Sequence, residues 1–269
     1  MIATFRTELA KQVRRPRTYV ALGITIALPV IITIAIHANP PRGRDEGDSL
    51  LRLATQTGLI VPAATLRFMS RFFLIVIVAL FAGDAVASEA TWGNLRYLLI
   101  RPVGRGRLLA AKLGAAAVFA VLATLLIALA GLVAGAAAFG WHPLTIPFVV
   151  HQGTGRLVEH LALATGYVAW SMAAIVAFGF MVSTMVDTPA GAIFAAVGLG
   201  VVSEILDSIT AIGSIRYGFP THYLDSWDSL YFRGHASADV ARGALLQVAY
   251  VVAFCAFAAW WFRRKDILS

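Results

Sequence analysis

The sequence predicts an all-α integral membrane protein. Six transmembrane helices, an interfacial helix at the N-terminus and a short amphipathic helix between spans 2 and 3 make up one transmembrane domain over residues 1–269. Three observations predict it. First, 59% of the residues are hydrophobic and only 13% are charged, about half the ~25% that soluble domains carry. A chain this poor in charge cannot cover a water-exposed globule, and its mean hydropathy of +0.78 is that of a bilayer-embedded one. Second, the apolar residues fall in six runs of span length. Third, Lys and Arg gather in the short flanks on one side of those runs.

Residues 2–15 begin with a helix pattern in which Ile2, Phe5, Leu9 and Val13 share one face, while Arg6, Lys11 and Arg14 lie elsewhere. With Arg15 behind it and Pro16 breaking it, this segment reads as a helix lying flat on the inner leaflet; an ordinary basic flank that only sets orientation is the plainer alternative. The spans follow at about 18–36, 58–87, 108–139, 161–186, 190–205 and 244–262. The start of the second lies between Gly58 and Phe72, and Asp187-Thr188-Pro189 turns the fourth into the fifth. No small-residue cleavage site follows the first run, so it is expected to remain as a span.

Six spans put the N-terminus, the 88–107 loop, the 187–189 turn and the C-terminus on one side. That side carries Arg6, Lys11, Arg14, Arg15, Arg17, Arg96, Arg101, Arg105, Arg107, Lys112 and the closing Arg263-Arg264-Lys265. The positive-inside rule makes it cytoplasmic, as in a multi-pass protein of the plasma (inner) membrane. The net charge of +8 then describes topology and contact with anionic lipid, not a nucleic-acid partner, for which no soluble basic face is available. On the outer side, the aromatics of 207–242 suit short surface helices at headgroup level, as does the polar stretch 37–57.

The most organised polar stretch is SEATWGNLRYLLIRPVGRGRLLAAK, residues 88–112, wedged between spans 2 and 3. Trp92, Leu95, Leu98 and Leu99 share a helical face, Glu89, Asn94, Arg96 and Arg101 lie largely elsewhere, and Pro102, Gly104 and Gly106 stop the helix. Asp84 and Glu89 are placed to pair with Arg15, Arg17 or Arg96 as a structural latch. Two roles fit Arg67 and Arg71, one turn apart near the outer end of span 2: lining a water-filled vestibule, or snorkelling to outer-leaflet phosphates, the commoner behaviour. Glu204 and Asp207 read as a solvated helix end, and Cys255 as an apolar filler.

Enzymatic readings find little to stand on. His142, His151 and His160 with Glu159 lack the one-face spacing of a metal motif, and Ser171 has no Gly-x-Ser-x-Gly elbow. The chain has no G-x-x-x-x-G-K-[ST] loop to cradle phosphates.

The interfacial helix, the six spans and the basic helix after span 2 together resemble the ABC-2 type permease family, the membrane subunits of ATP-driven exporters. The motif resemblance runs through Glu89, Gly93-Asn94-Leu95-Arg96, Leu98-Leu99, Arg101-Pro102-Val103, Arg105 and Lys112, and returns in Phe262-Arg263-Arg264-Lys265-Asp266-Ile267. Asn94 stands where that family commonly has Thr. The resemblance implies two copies of a separately encoded ATP-binding subunit, which hold ATP and Mg while this chain binds no cofactor, and a second permease subunit, identical or different. It further implies that 89–101 is a coupling helix, with Arg96, Arg101 and Arg105 meeting acidic residues of a groove that Trp92, Leu95 and Leu98 fill. The cargo expected from spans rich in Ala, Gly, Val and Leu is amphipathic or apolar. An intramembrane hydrolase and a membrane scaffold without transport are the alternatives. Gly114, Gly131, Gly135, Gly179, Gly198 and Gly200 are expected at close helix contacts, the subunit interface included.

Overall fold

The computed structural model describes residues 2–40, 49–91, 104–146, 150–233 and 237–264. They are essentially all helical: α1 (Ile2–Val13), α2 (Pro16–Ala38), α3 (Ser49–Ala54), α4 (Val61–Ser70), α5 (Phe73–Thr91), α6 (Arg105–Phe139), α7 (Thr154–Ser171), α8 (Ala173–Met185), α9 (Pro189–Ser208), α10 (Asp228–Arg233) and α11 (Ala238–Arg264). A 3₁₀ stretch, Thr210–Gly218, and a small antiparallel hairpin pairing Leu144–Ile146 with Val150–Gln152 complete the described elements. The hairpin, between α6 and α7, is the one element the sequence reading did not foresee.

Among the described residues, five helical stretches are long and apolar enough to cross a bilayer, α7 with α8 counting as one, and α4 with α5 makes a sixth span if the bent pair counts as one. The spans differ from their expected bounds in informative ways. α6 runs for 35 residues, ~52 Å at 1.5 Å per residue, well beyond a hydrocarbon core about 30 Å thick. Its first turns therefore project past the core on the basic side. Gly140, at φ 76°, ends it in a conformation that side chains disfavour. The fourth span begins at Thr154 rather than Leu161 and is two helices, α7 and α8, broken at Met172. The second span is likewise broken, α4 meeting α5 at 59° across Arg71 and Phe72. α4 itself lies within the bundle, with eight of its ten residues buried, while Arg71 and Phe72 at the break are exposed.

α5 is the central element. It packs against α6, α8 and α9, with α2 laid along α6 on one flank and α11 along α8 on the other. The core runs through Leu74, Ile75, Val78, Phe81 and Ala82 of α5, with Phe81 stacked on Phe119 of α6 at 5.0 Å between ring centroids. α2 buries a narrow stripe, Thr18, Ala21, Thr25, Pro29, Thr33 and Ile36, and exposes Tyr19, Val20, Ile31 and Ile34. In water that exposure would be a large aggregation-prone patch; on a span it is the lipid face. Pro29 stands mid-helix between Thr25 and Thr33, whose hydroxyls back-bond to Leu22 O at 2.6 Å and Pro29 O at 2.7 Å.

Candidate functional site

Among the described residues the long-range ion pairs condense into two clusters, one at each end of the bundle. The first joins α1, α5 and α6. Lys112, seven residues into α6, is only 3% exposed and sits between two carboxylates, Glu8 of α1 at 2.9 Å and Glu89 of α5 at 2.7 Å. Its ammonium also donates to Ala85 O at 3.1 Å. Lys11 closes the square, 3.0 Å from Glu8 and 3.1 Å from Glu89. The four charges cancel, so Glu8, Glu89 and Lys112 are buried in a group without net charge, with Lys11 at its partly exposed edge. Next to it Asp84, 1% exposed, accepts from both Arg15 and Arg17, and Arg15 reaches on to Ser88 Oγ at 3.3 Å.

Each partner is placed by local sequence. Glu8 and Gln12 are one turn apart on the α1 face turned inward, both buried, while Val13 is 47% exposed. Pro16 starts α2 directly after Arg15, which fixes the two arginines against Asp84. Gly114 lets Phe5 lie on α6, where a Cβ would come within 3.1 Å of the ring. At the same end α8 is tied to α5: Ser183 Oγ accepts from the amides of Val86 and Ala87, at 3.0 and 2.9 Å, and Thr91 Oγ1 donates to Asp187 O at 2.6 Å.

Burial alone would raise the Glu8 pKa, but Lys112 and Lys11 outweigh it and hold the carboxyl below its ordinary 4.5. For Lys11 burial works downward, and Glu8 and Glu89 more than offset it, so the ammonium is held above 10.5. The signs follow by linkage. A depressed carboxylate contributes stability above pH 4.5 that is lost as pH falls through its folded value. A raised amine contributes stability below pH 10.5 that is lost as pH rises through its folded value. The anchoring of α1 is therefore strongest between those limits. In denaturant titrations of the detergent-solubilised chain, Glu8→Gln should lower the unfolding midpoint at pH 7, and the gap to the wild type should close as the pH falls below 4.5. A gap that stays constant through the acid range would show that the Glu8 charge contributes nothing.

The second cluster lies at the opposite end. Arg67 pairs with Asp228 at the start of α10 and lies 3.9 Å from Asp225. Arg71 donates through Nε to Asp225 at 3.1 Å and lies 3.6 Å from Glu204 near the end of α9. Asp207 pairs with His222. A basin of about 660 Å³ opens beside these pairs, lined by Tyr217, His222, Tyr223, Asp225, Asp239 and Arg242 among others.

The structure thus redistributes the residues singled out from sequence. Glu89, expected to face a partner, is 6% exposed and turned inward onto Lys112 and Lys11. Asp84 pairs with Arg15 and Arg17 as the latch reading expected. Arg67 and Arg71 are engaged by three carboxylates of the chain itself, a pairing that neither the vestibule nor the snorkelling reading includes. Glu204 and Asp207 belong to that network and not to a freely solvated helix end. Phe5 and Leu9 of α1 are partly buried and Arg14 is exposed. Trp92, Asn94, Leu95, Arg96, Leu98, Arg101 and Pro102 lie outside the described residues, and Arg105 is described only as the first residue of α6. Glu8 was passed over in the sequence, although it is the one acid in an otherwise basic N-terminal stretch.

Among the described residues no three His, Cys, Asp or Glu side chains converge as metal ligands. His160 is buried edge-on to Tyr231, ring centroids 5.7 Å apart. Ser171 closes α7 as a buried residue at the break in the fourth span.

Helices of this length and hydropathy, lipid-like exposure on their outer faces and charge confined to the two ends define a multi-pass helical membrane protein. Within that class the chain belongs to the family described as "Protein of unknown function (DUF2705)", which matches it over residues 51–268. No curated protein matches it in sequence.

Proposed function

We propose that this chain is the membrane subunit of an ABC-2 type transporter. It would move an amphipathic or apolar substrate outward across the plasma membrane, with ATP hydrolysed by a separate partner. Both termini and the 88–107 segment are cytoplasmic in this reading, and a second permease subunit, identical or different, completes the assembly.

One observation supports the reading above the others: the buried square of Glu8, Lys11, Glu89 and Lys112. Glu89 lies just before residues 92–103 and Lys112 just after them, so the two flanks of that segment are clamped to each other and to α1. A push on the segment is then delivered to α5 and α6 together. From α5 it reaches α8 and α9, which pack directly against it. A flexible linker between spans would dissipate such a push, whereas a charge-locked joint transmits it, because packed elements shift as units. ATP and Mg would be held entirely on the partner, and this chain would contribute positioning and a path.

The test is copurification of the chain with a soluble ATPase, followed by reconstitution of the two together. Charge reversal at Arg96 and Arg101 together should leave that ATPase able to hydrolyse ATP but sever hydrolysis from transport, because the reversed charges no longer suit an acidic groove. Assembly and transport that survive the reversal intact would refute the coupling role.

A further inference from the structure

Between α6, the α7–α8 break and α11 lies a recess of about 260 Å³ in which every lining residue is apolar. Leu113, Ala117 and Ala120 form its α6 wall, Ala173 and Ala177 its α8 wall, and Val251 with Cys255 its α11 wall. Apart from Leu113, these walls are surfaced by Ala, Val or Cys, where bulkier residues would close the gap. The recess is also held open. Trp170 Nε1, beside the break, donates to Ala244 O at 3.1 Å. One turn further along α11, the buried Gln247 accepts from Ala174 N at 3.0 Å and donates to Pro220 O at 2.7 Å. These bonds satisfy an amide freed by the broken span and fix α11 against the break, so the walls cannot simply collapse together.

What fills the recess is decided by where it is. All its walls belong to helices that qualify as membrane spans, and its rim, Val121 and Trp170, is 43% exposed at both residues. The surrounding medium is hydrocarbon. An apolar cavity of about 150 Å³ stays dry and takes up benzene, and this one is larger and equally devoid of free polar partners. We infer that the recess is a binding site for one acyl chain of a membrane phospholipid, entering sideways past Val121 and Trp170. The site requires neither nucleotide nor a partner subunit, so it stands or falls independently of the ATP-coupled reading.

The full chain, reconstituted in phosphatidylethanolamine–phosphatidylglycerol vesicles doped with a phosphatidylcholine bearing a mid-chain diazirine, provides the test. On irradiation, adducts should concentrate on 117–121, 170–177 and 251–255, several-fold above the Tyr19–Ile34 lipid face of α2. That face is more exposed, with Ile34 at 62%, but no recess is described there. Ala117→Leu should strip the adducts from the recess and leave those on the α2 face unchanged. Labelling no denser in the recess than on α2 would overturn the inference. Cys255, the chain's single cysteine, gives a second reading in the wild-type protein: phospholipid added to the detergent-solubilised chain should slow its alkylation by an apolar maleimide. An alkylation rate indifferent to phospholipid counts against the site.

Discussion

Lys112→Met should be the most damaging single change in this chain. Methionine matches the aliphatic length of lysine, so packing around it is preserved and the loss is electrostatic. It strands Glu8 and Glu89, whose side chains are 9% and 7% exposed, with only the half-solvated Lys11 between them. Breaking a buried pair by removing one partner costs about 3–5 kcal/mol, far more than the pair contributes over an apolar replacement. One or both carboxylates would escape by taking up a proton, so the deficit should shrink in acid. Adding Glu89→Gln to Lys112→Met should restore part of the loss, since Glu8 and Lys11 then balance, and the double-mutant cycle should show coupling of about 0.5–3 kcal/mol. The measurement is the unfolding midpoint of the detergent-solubilised chain at pH 7. A Lys112→Met midpoint equal to the wild type, or strict additivity with Glu89→Gln, would mean the square does not hold α1, α5 and α6 together. The proposed path of force would then lose its joint.

Lys112 also marks the limit of what the sequence discloses. The spans were legible because apolar run length is a one-dimensional property, and α2, α6 and α9 begin and end within a few residues of their expected bounds. The break in α4–α5 was not legible. No Pro or Gly stands at Arg71-Phe72 to announce a bend, and the carboxylates that pair Arg67 and Arg71, Asp225, Asp228 and Glu204, come from over a hundred residues away. Nothing local announces such pairs. The same holds at the other end, where Asp84 and Glu89 were recognisable as latch partners by proximity to the basic flank. Glu8 was obscured because the stripe Phe5, Leu9, Val13 suggested a helix face turned to lipid, whereas the buried face of α1 is rotated to carry Glu8 and Gln12. An amphipathic pattern tells which face is apolar, and in a lipid environment that face need not be the buried one.

The glycines separate the two kinds of close packing that sequence lumps together, and they yield the second large effect. At Gly135 a Cβ would fall 2.7 Å from Val61 Cβ and closer still to the Gly58 carbonyl oxygen. The obstruction is backbone on a neighbouring element and no rotamer change relieves it, so α6 and the start of α4 must separate. Gly135→Leu should therefore cost at least the 1–3 kcal/mol typical of overpacking. It should also loosen the Gly58 N to Gly140 O hydrogen bond, 3.1 Å, that fixes the chain before α4. Gly198 is the contrasting case. A Cβ there meets nothing within 4 Å, on a helix with only 22% of its apolar window buried. Gly198→Leu should leave the unfolding midpoint of the isolated chain within about 0.5 kcal/mol of wild type. If a second permease subunit packs on α9 as the small-residue pattern implies, the same substitution should weaken association, read as a smaller particle in light scattering at an unchanged midpoint. Equal destabilisation by the two leucines would contradict the packing described for α4 and α6. Association that tolerates Gly198→Leu would place any subunit contact elsewhere than α9.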